Sequence, residues 1–179
     1  MDVTAIVVKS LVLYSLAEHQ AGFAHTLDVQ VHGSRFFVGD DGRGHAIDRV
    51  VEGEPYFSLI YEQLRSPAVG DGHGPVQLQG IGVSLVNALC SELEVLIHNA
   101  NGSVRLSYAD GELRAQERIQ CSAIETGNRI RGVISATLHS EECADGQLRG
   151  WLEDVQRRAP ALSLRFNGSL LGVGAQGAA

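Results

Sequence analysis

Apolar residues recur along this chain with two different periods. Over residues 5–18, Ile6, Val7, Leu11, Leu13, Tyr14 and Leu16 alternate with polar positions at helical spacing, which predicts a helix with one buried stripe, although Ile6-Val7-Val8 are weak helix formers. The period then shortens to two. Leu27, Val29 and Val31 alternate, the pattern breaks at Gly33-Ser34, and it resumes over 36–38. That predicts a β-hairpin with one buried face. Residues 54–66 predict a second helix, opened by Glu54 and Pro55, where a helix start favours them. The Gly- and Pro-rich stretch 67–80 predicts a mobile loop, followed by a helix with apolar positions 81, 85, 86 and 89 behind Gly80-Ile81-Gly82. Strand-like alternation takes over from there, with hairpin turns expected at Asn101-Gly102 and Asp110-Gly111. A further strand is expected over 129–138, an amphipathic helix ending near Pro160, a last strand over 162–168 and a frayed tail over 169–179. The order predicts an α+β fold: one domain, 1–168, built as a two-layer sandwich of a mostly antiparallel mixed sheet with helices on one face.

Composition narrows the function classes. The chain has 179 residues, 44% hydrophobic and 20% charged, with a formal charge of −7. Such an acidic domain does not attract phosphate backbones, so no direct nucleic-acid binding is expected. Cys90, Cys121 and Cys143 are an odd number with no C-x-x-C pair, which predicts buried intracellular thiols rather than a disulfide framework or zinc site. The seven histidines show no ligand spacing, and no metal is assigned to them. The apolar N-terminal run is interrupted by Lys9 and is too short to cross a bilayer, so a cytoplasmic chain without membrane attachment is expected.

Three motifs carry the candidate chemistry. Residues 40–44 read D-D-G-R-G, residues 80–95 read G-I-G-V-S-L-V-N-A-L-C-S-E-L-E-V, and residues 125–130 read E-T-G-N-R-I. By itself the first is a surface turn, since Asp and Gly are the residues that turns use. In this order, and over about Leu11 to Phe166, the three resemble the ATPase domain of DNA gyrase B and topoisomerase IV. That domain belongs to the Bergerat-fold superfamily shared with heat-shock chaperones, histidine kinases and mismatch-repair ATPases.

The resemblance implies an adenine-nucleotide site for ATP or ADP. Asp40 would accept a hydrogen bond from the adenine amine, for which an acceptor-only carboxylate discriminates well. Gly42 and Gly44 would let the backbone approach the base. Val38, Ile60 and Ile130 would line the pocket. Gly80 and Gly82 would offer N–H groups to phosphate at a helix start. Asn128 would stand near the adenine in place of the family's threonine. Arg43 would pair with Glu18, and Asp41 would serve the turn.

The same resemblance exposes departures. The family's first helix carries E-x-x-x-N, the glutamate acting as general base and the asparagine holding magnesium. Aligned on Glu18 and Ala21-Gly22, those positions here are Ser10 and Tyr14. Serine is no base near neutral pH, and tyrosine is a poor neutral ligand for a hard cation. No catalytic or metal residue is therefore assigned. Residues 66–80 contain neither lysine nor arginine, where the family reaches the phosphates with lysines; His73 is expected to be a solvent-exposed loop residue. Weak or lost hydrolysis is the expectation. The alternatives are a nucleotide-free interaction or structural module, using the apolar first helix, and an ATPase working through unusual groups such as Glu18. Implied partners are a second copy or other topoisomerase-like subunits.

Overall fold

The computed structural model describes residues 2–51, 53–62, 83–120, 125–139 and 144–172. Helix α1, Val3–Gln20, starts where the Asp2 carboxylate accepts the Thr4 amide at 2.8 Å, and stops before Gly22, whose φ of +86° a helix cannot continue. Strands β1, Thr26–His32, and β2, Arg35–Asp40, form the expected hairpin about Gly33. A short pair follows, β3 at Val50–Val51 and β4 at Glu54–Pro55, and then α2, Tyr56–Glu62. Glu54 and Pro55 thus belong to a strand, and the expected loop over 67–80 lies outside the described residues.

Helix α3, Val83–Leu89, runs directly into β5, Cys90–Asn99, so residues expected at a helix end are strand. Its buried face is Val83, Ser84, Val86 and Asn87. Strand β6, Gly102–Ala109, returns through a loop at Ala100-Asn101, one residue earlier than expected, because Gly102 itself pairs with Asn99. Strand β7, Glu112–Ile119, follows the expected Asp110-Gly111 turn, both residues at positive φ (51° and 81°) as a type I′ turn needs. Strand β8, Gly127–Ile134, ends earlier than expected, where the Ser135 carbonyl accepts the Leu138 and His139 amides and turns the chain.

Helix α4, Ala144–Arg158, precedes β9, Ser163–Phe166, and β10, Ser169–Leu170. Residues 169–171 therefore join the sheet, past the boundary expected at 168: β10 pairs with β9, and the Leu171 amide donates to Leu164 at 2.8 Å.

Among the described residues, eight strands form one sheet, ordered β10-β9-β1-β2-β8-β5-β6-β7 and antiparallel except for β1 with β9. Leu27, Val29, Val38, Val95, Ile97, Val104 and Leu106 point into the core with α1 and α4 residues such as Leu11 and Leu152. The alternate positions, among them Asp28, Gln30, Phe37, Glu94 and Arg131, line an open cleft on the other face. This is the expected two-layer α+β arrangement. Among the described residues, no helix is long and apolar enough to cross a membrane. Cys90 is buried and its thiol is pushed up to about 12 by that burial; Cys121 and Cys143 lie outside the described residues.

The stripe of α1 differs from the one expected. Ile6, Leu13, Tyr14 and Leu16 are only partly buried, while Ser10, Ser15 and Glu18 are buried with Val7, Val8, Leu11 and Val12. Two of those polar side chains are buried because they have partners in the site.

Candidate functional site

Strand β2 delivers Asp40 at its C-terminal end, beside the start of β8 and beneath α1. The carboxylate is 9% exposed. Its Oδ2 accepts the Ser15 hydroxyl at 2.7 Å, and its Oδ1 accepts the Gly42 amide at 2.9 Å and the Asn128 amide at 3.4 Å. Burial raises the Asp40 carboxyl above the ordinary aspartate range, the three donors pull it back, and the Glu18 charge adds a smaller push upward. Asp41 faces the other way: its Oδ1 accepts the His25 and Thr26 amides at 2.7 Å each, tying the end of β2 to the start of β1.

The loop after Asp40 is fastened on three sides. From α1, Glu18 receives Arg43 through Nη2 at 2.7 Å, Nε at 3.0 Å and the backbone amide at 3.1 Å, so the pair anticipated from the sequence is present and bidentate. The Arg43 guanidinium also lies 3.9 Å from the Phe23 ring centroid. From β8, the Asn128 side-chain oxygen accepts the His45 amide at 3.1 Å. From β5, the Asn99 side chain donates to the Arg43 and His45 carbonyls at 3.3 Å each.

The glycines have structural reasons beyond the approach of a base. A Cβ on Gly44, at φ +71°, would meet the His98 carbonyl oxygen at 2.1 Å. One on Gly127, at φ +129°, would meet the Asp40 carbonyl oxygen at 1.9 Å. Gly44 is thus required by strand β5 whether or not a ligand binds. A Cβ on Gly42 would sit 3.0 Å from Asp40 Oδ1 and 3.2 Å from Glu18 Cβ, in the angle between those two side chains.

Val38 and Ile130 are register partners on β2 and β8 and form one apolar wall next to Asp40. Ile60 is buried in the core on α2, where its neighbour Tyr61 places its hydroxyl 3.1 Å from His45 Nε2. Tyr14 meets the His45 ring edge-on at 6.0 Å between centroids, and Tyr61 stacks on Tyr108 at 6.2 Å. Burial, and secondarily Tyr56, pushes the Tyr14 phenol far up, so it stays neutral. The Ser10 hydroxyl donates to the Ile6 carbonyl at 3.0 Å within its own helix. Neither side chain supplies an anionic oxygen, and among the described residues no three His, Cys, Asp or Glu side chains come together as a metal site. Ser10 and Tyr14 therefore do not suit magnesium.

Asp40, Gly42, Gly44, Val38 and Asn128 are therefore brought together around one carboxylate, with Ile60 further off on α2. Gly80, Gly82 and His73 lie outside the described residues. Sequence reading missed Ser15, His45 and Gly127. Ser15 was the findable one: it precedes Glu18 by one helical turn, so the two share a face.

No protein-family model matches the chain. The DNA gyrase B protein of Mycolicibacterium smegmatis is 33% identical over 118 residues, which is 64% of this chain and 17% of that protein. The DNA topoisomerase IV B protein of Pseudomonas aeruginosa is 33% identical over 102 residues, 54% of this chain and 16% of the relative. The chain thus spans about a sixth of the length of these curated relatives. In structure it is similar to the topoisomerase IV ATP-binding domain of Francisella tularensis, solved with a small-molecule inhibitor: the TM-score is 0.73 at 24% identity, covering 89% of this chain and 79% of that one.

Proposed function

We propose that this chain, similar to DNA gyrase B and topoisomerase IV B proteins and sharing the fold of a topoisomerase IV ATP-binding domain, binds an adenine nucleotide, ATP or ADP, and turns it over weakly or not at all. The observation that carries this is the buried Asp40 carboxylate, aligned by Ser15 and Gly42 beside the Val38–Ile130 wall. A second lone pair on Oδ2, which accepts only the Ser15 hydroxyl, remains for an amine donor, and a neutral residue at 40 would lose that charge-assisted bond. Weak turnover is supported by Ser10, whose hydroxyl is committed to its own helix, and by Tyr14, a neutral phenol. Glu18 is held by three donors from Arg43, which argues against its use as a substitute base. Partners of the relatives' kind, a second copy or further topoisomerase-like subunits, belong to the same proposal.

Isothermal titration with ADP and a non-hydrolysable ATP analogue tests it. Binding is expected by millimolar ligand, weakened about tenfold or more in Asp40→Asn, since a hydrogen bond to a charged group contributes about 1.5–3 kcal/mol. Absence of heat at that concentration, or equal affinity in the variant, overturns the reading. One observation favours a nucleotide-free structural or interaction module instead: three donors of the protein itself already reach the Asp40 carboxylate. That reading expects no thermal shift with any nucleotide.

A further inference from the structure

On the side of α1 away from Arg43, a groove of about 820 Å³ runs between α1 and α4. Its middle is apolar, with Leu13 and Leu16 from α1 among Trp151, Val155 and Ala159, while Ser10, His19 and Gln20 add polar edges. The α1 side chains are only partly buried, which is why the expected stripe of that helix failed to close. The groove extends from Ile6 to Gln20, about 21 Å at the helical rise, or four turns of a docked helix.

The charges on this groove oppose those of the molecule. The chain carries −7 overall, yet Lys9 and Arg158 line the groove and no carboxylate does. Lys9, the only lysine in the sequence, lies 5.5 Å from the ring centroid of Trp151, the only tryptophan. Among the described ion pairs, none engages Lys9 or Arg158. A second copy seated face to face would set these cations against their own equivalents, which disfavours self-pairing. Two cations bordering an apolar floor are also too few for a phosphate backbone on an acidic chain.

We propose that the α1–α4 groove docks an amphipathic helix of a partner protein, its apolar face laid between Leu13 and Trp151 and its acidic flank against Lys9 and Arg158. An apolar stripe supplies the contact area and the carboxylates set orientation and partner choice. The groove lies on the face of α1 opposite Ser15 and Glu18 and includes neither Asp40 nor its partners.

Trp151 reports on the groove directly. The full chain is titrated with a tryptophan-free peptide of about four turns, leucine on one face and glutamate beside it, and with the same peptide carrying lysine in place of glutamate. The glutamate peptide is expected to shift Trp151 emission to shorter wavelength and to saturate, with affinity falling about tenfold between about 50 and 500 mM salt. Lys9→Glu and Arg158→Glu are each expected to weaken it about tenfold with an unchanged circular dichroism spectrum. Should Lys9→Glu misfold, Lys9→Gln with the same titration carries the test. Equal response to both peptides, no response by about 1 mM, or self-association abolished by Lys9→Glu overturns the proposal.

Discussion

Asp40 is a carboxylate held where its charge is disfavoured. Burial raises it, so the folded chain holds the proton more tightly than the unfolded chain, and unfolding releases it. The contribution to stability is therefore complete at low pH and is lost as pH rises from the ordinary aspartate range through the raised folded value. Asn at this position keeps an acceptor for the Gly42 amide, and the Ser15 hydroxyl can rotate to accept from the new amide group. Asp40→Asn is expected to unfold at a higher temperature than the parent at neutral pH, with the gap closing towards pH 4. Thermal unfolding followed by circular dichroism from pH 4 to 8 measures it, and a less stable variant at neutral pH would show that the three donors outweigh burial. Asp40 could be singled out in advance only through its place among the three motifs, since D-D-G-R-G by itself reads as a surface turn. Ser15 was legible only through its place one helical turn before Glu18, and His45 was illegible, since its partners Tyr61 and Asn128 come from distant elements. Gly44 was legible as necessary but for an incomplete reason, because the His98 carbonyl comes from a strand more than fifty residues later.

At the scale of elements, α1 is fastened to the sheet by polar ties as well as by its apolar face. Glu18 is 6% exposed at its side chain and Arg43 is 29% exposed, so the two partners are not equivalent. Arg43→Ala removes the guanidinium from a buried carboxylate and is expected to cost about 3 kcal/mol. In a chain of this size that is about 6 to 12 °C in melting temperature. Glu18→Gln retains an acceptor and leaves the arginine partly in water, for about 1 kcal/mol. Chemical denaturation of both variants tests the asymmetry, and equal losses would place the pair's value in mutual attraction rather than in shielding Glu18. Helix α1 was legible in extent but not in orientation. Polar positions break a stripe in the sequence, yet Ser15 and Glu18 were inward because partners await them there. The boundary between α3 and β5 was hidden for another reason: Cys90-Ser91-Glu92-Leu93 suits a helix, and only pairing with β8 and β6 makes it a strand.

For the whole molecule, the two ends of the chain complete one another. Strand β1 pairs on one side with β2 and on the other with β9, Thr26 opposite Ser163, and the Asn167 side chain accepts the Val31 amide at 2.8 Å. Leu164 and Phe166 are fully buried. Removing residues 161–179 is expected to abolish cooperative unfolding altogether, because β1 loses a ladder and the core loses Leu162, Leu164, Phe166 and Leu171. A sharp thermal transition in that truncated chain would contradict it. Hydrophobic alternation made the strands legible; the parallel β1–β9 pairing was not, since it joins segments at opposite ends of the sequence.

At the far margin of the sheet, β7 has β6 on one flank and, among the described residues, no strand on the other, and nearly every residue from Glu112 to Arg118 is exposed. Its side chains alternate in sign through Glu112, Arg114, Glu117 and Arg118, with Arg114 resting on Glu112. A neighbouring molecule seeking those unpaired amides would have to strip water from every one of these ions first. The sheet therefore carries its own stop signal against runaway growth into fibres, written in the residues of its outermost strand.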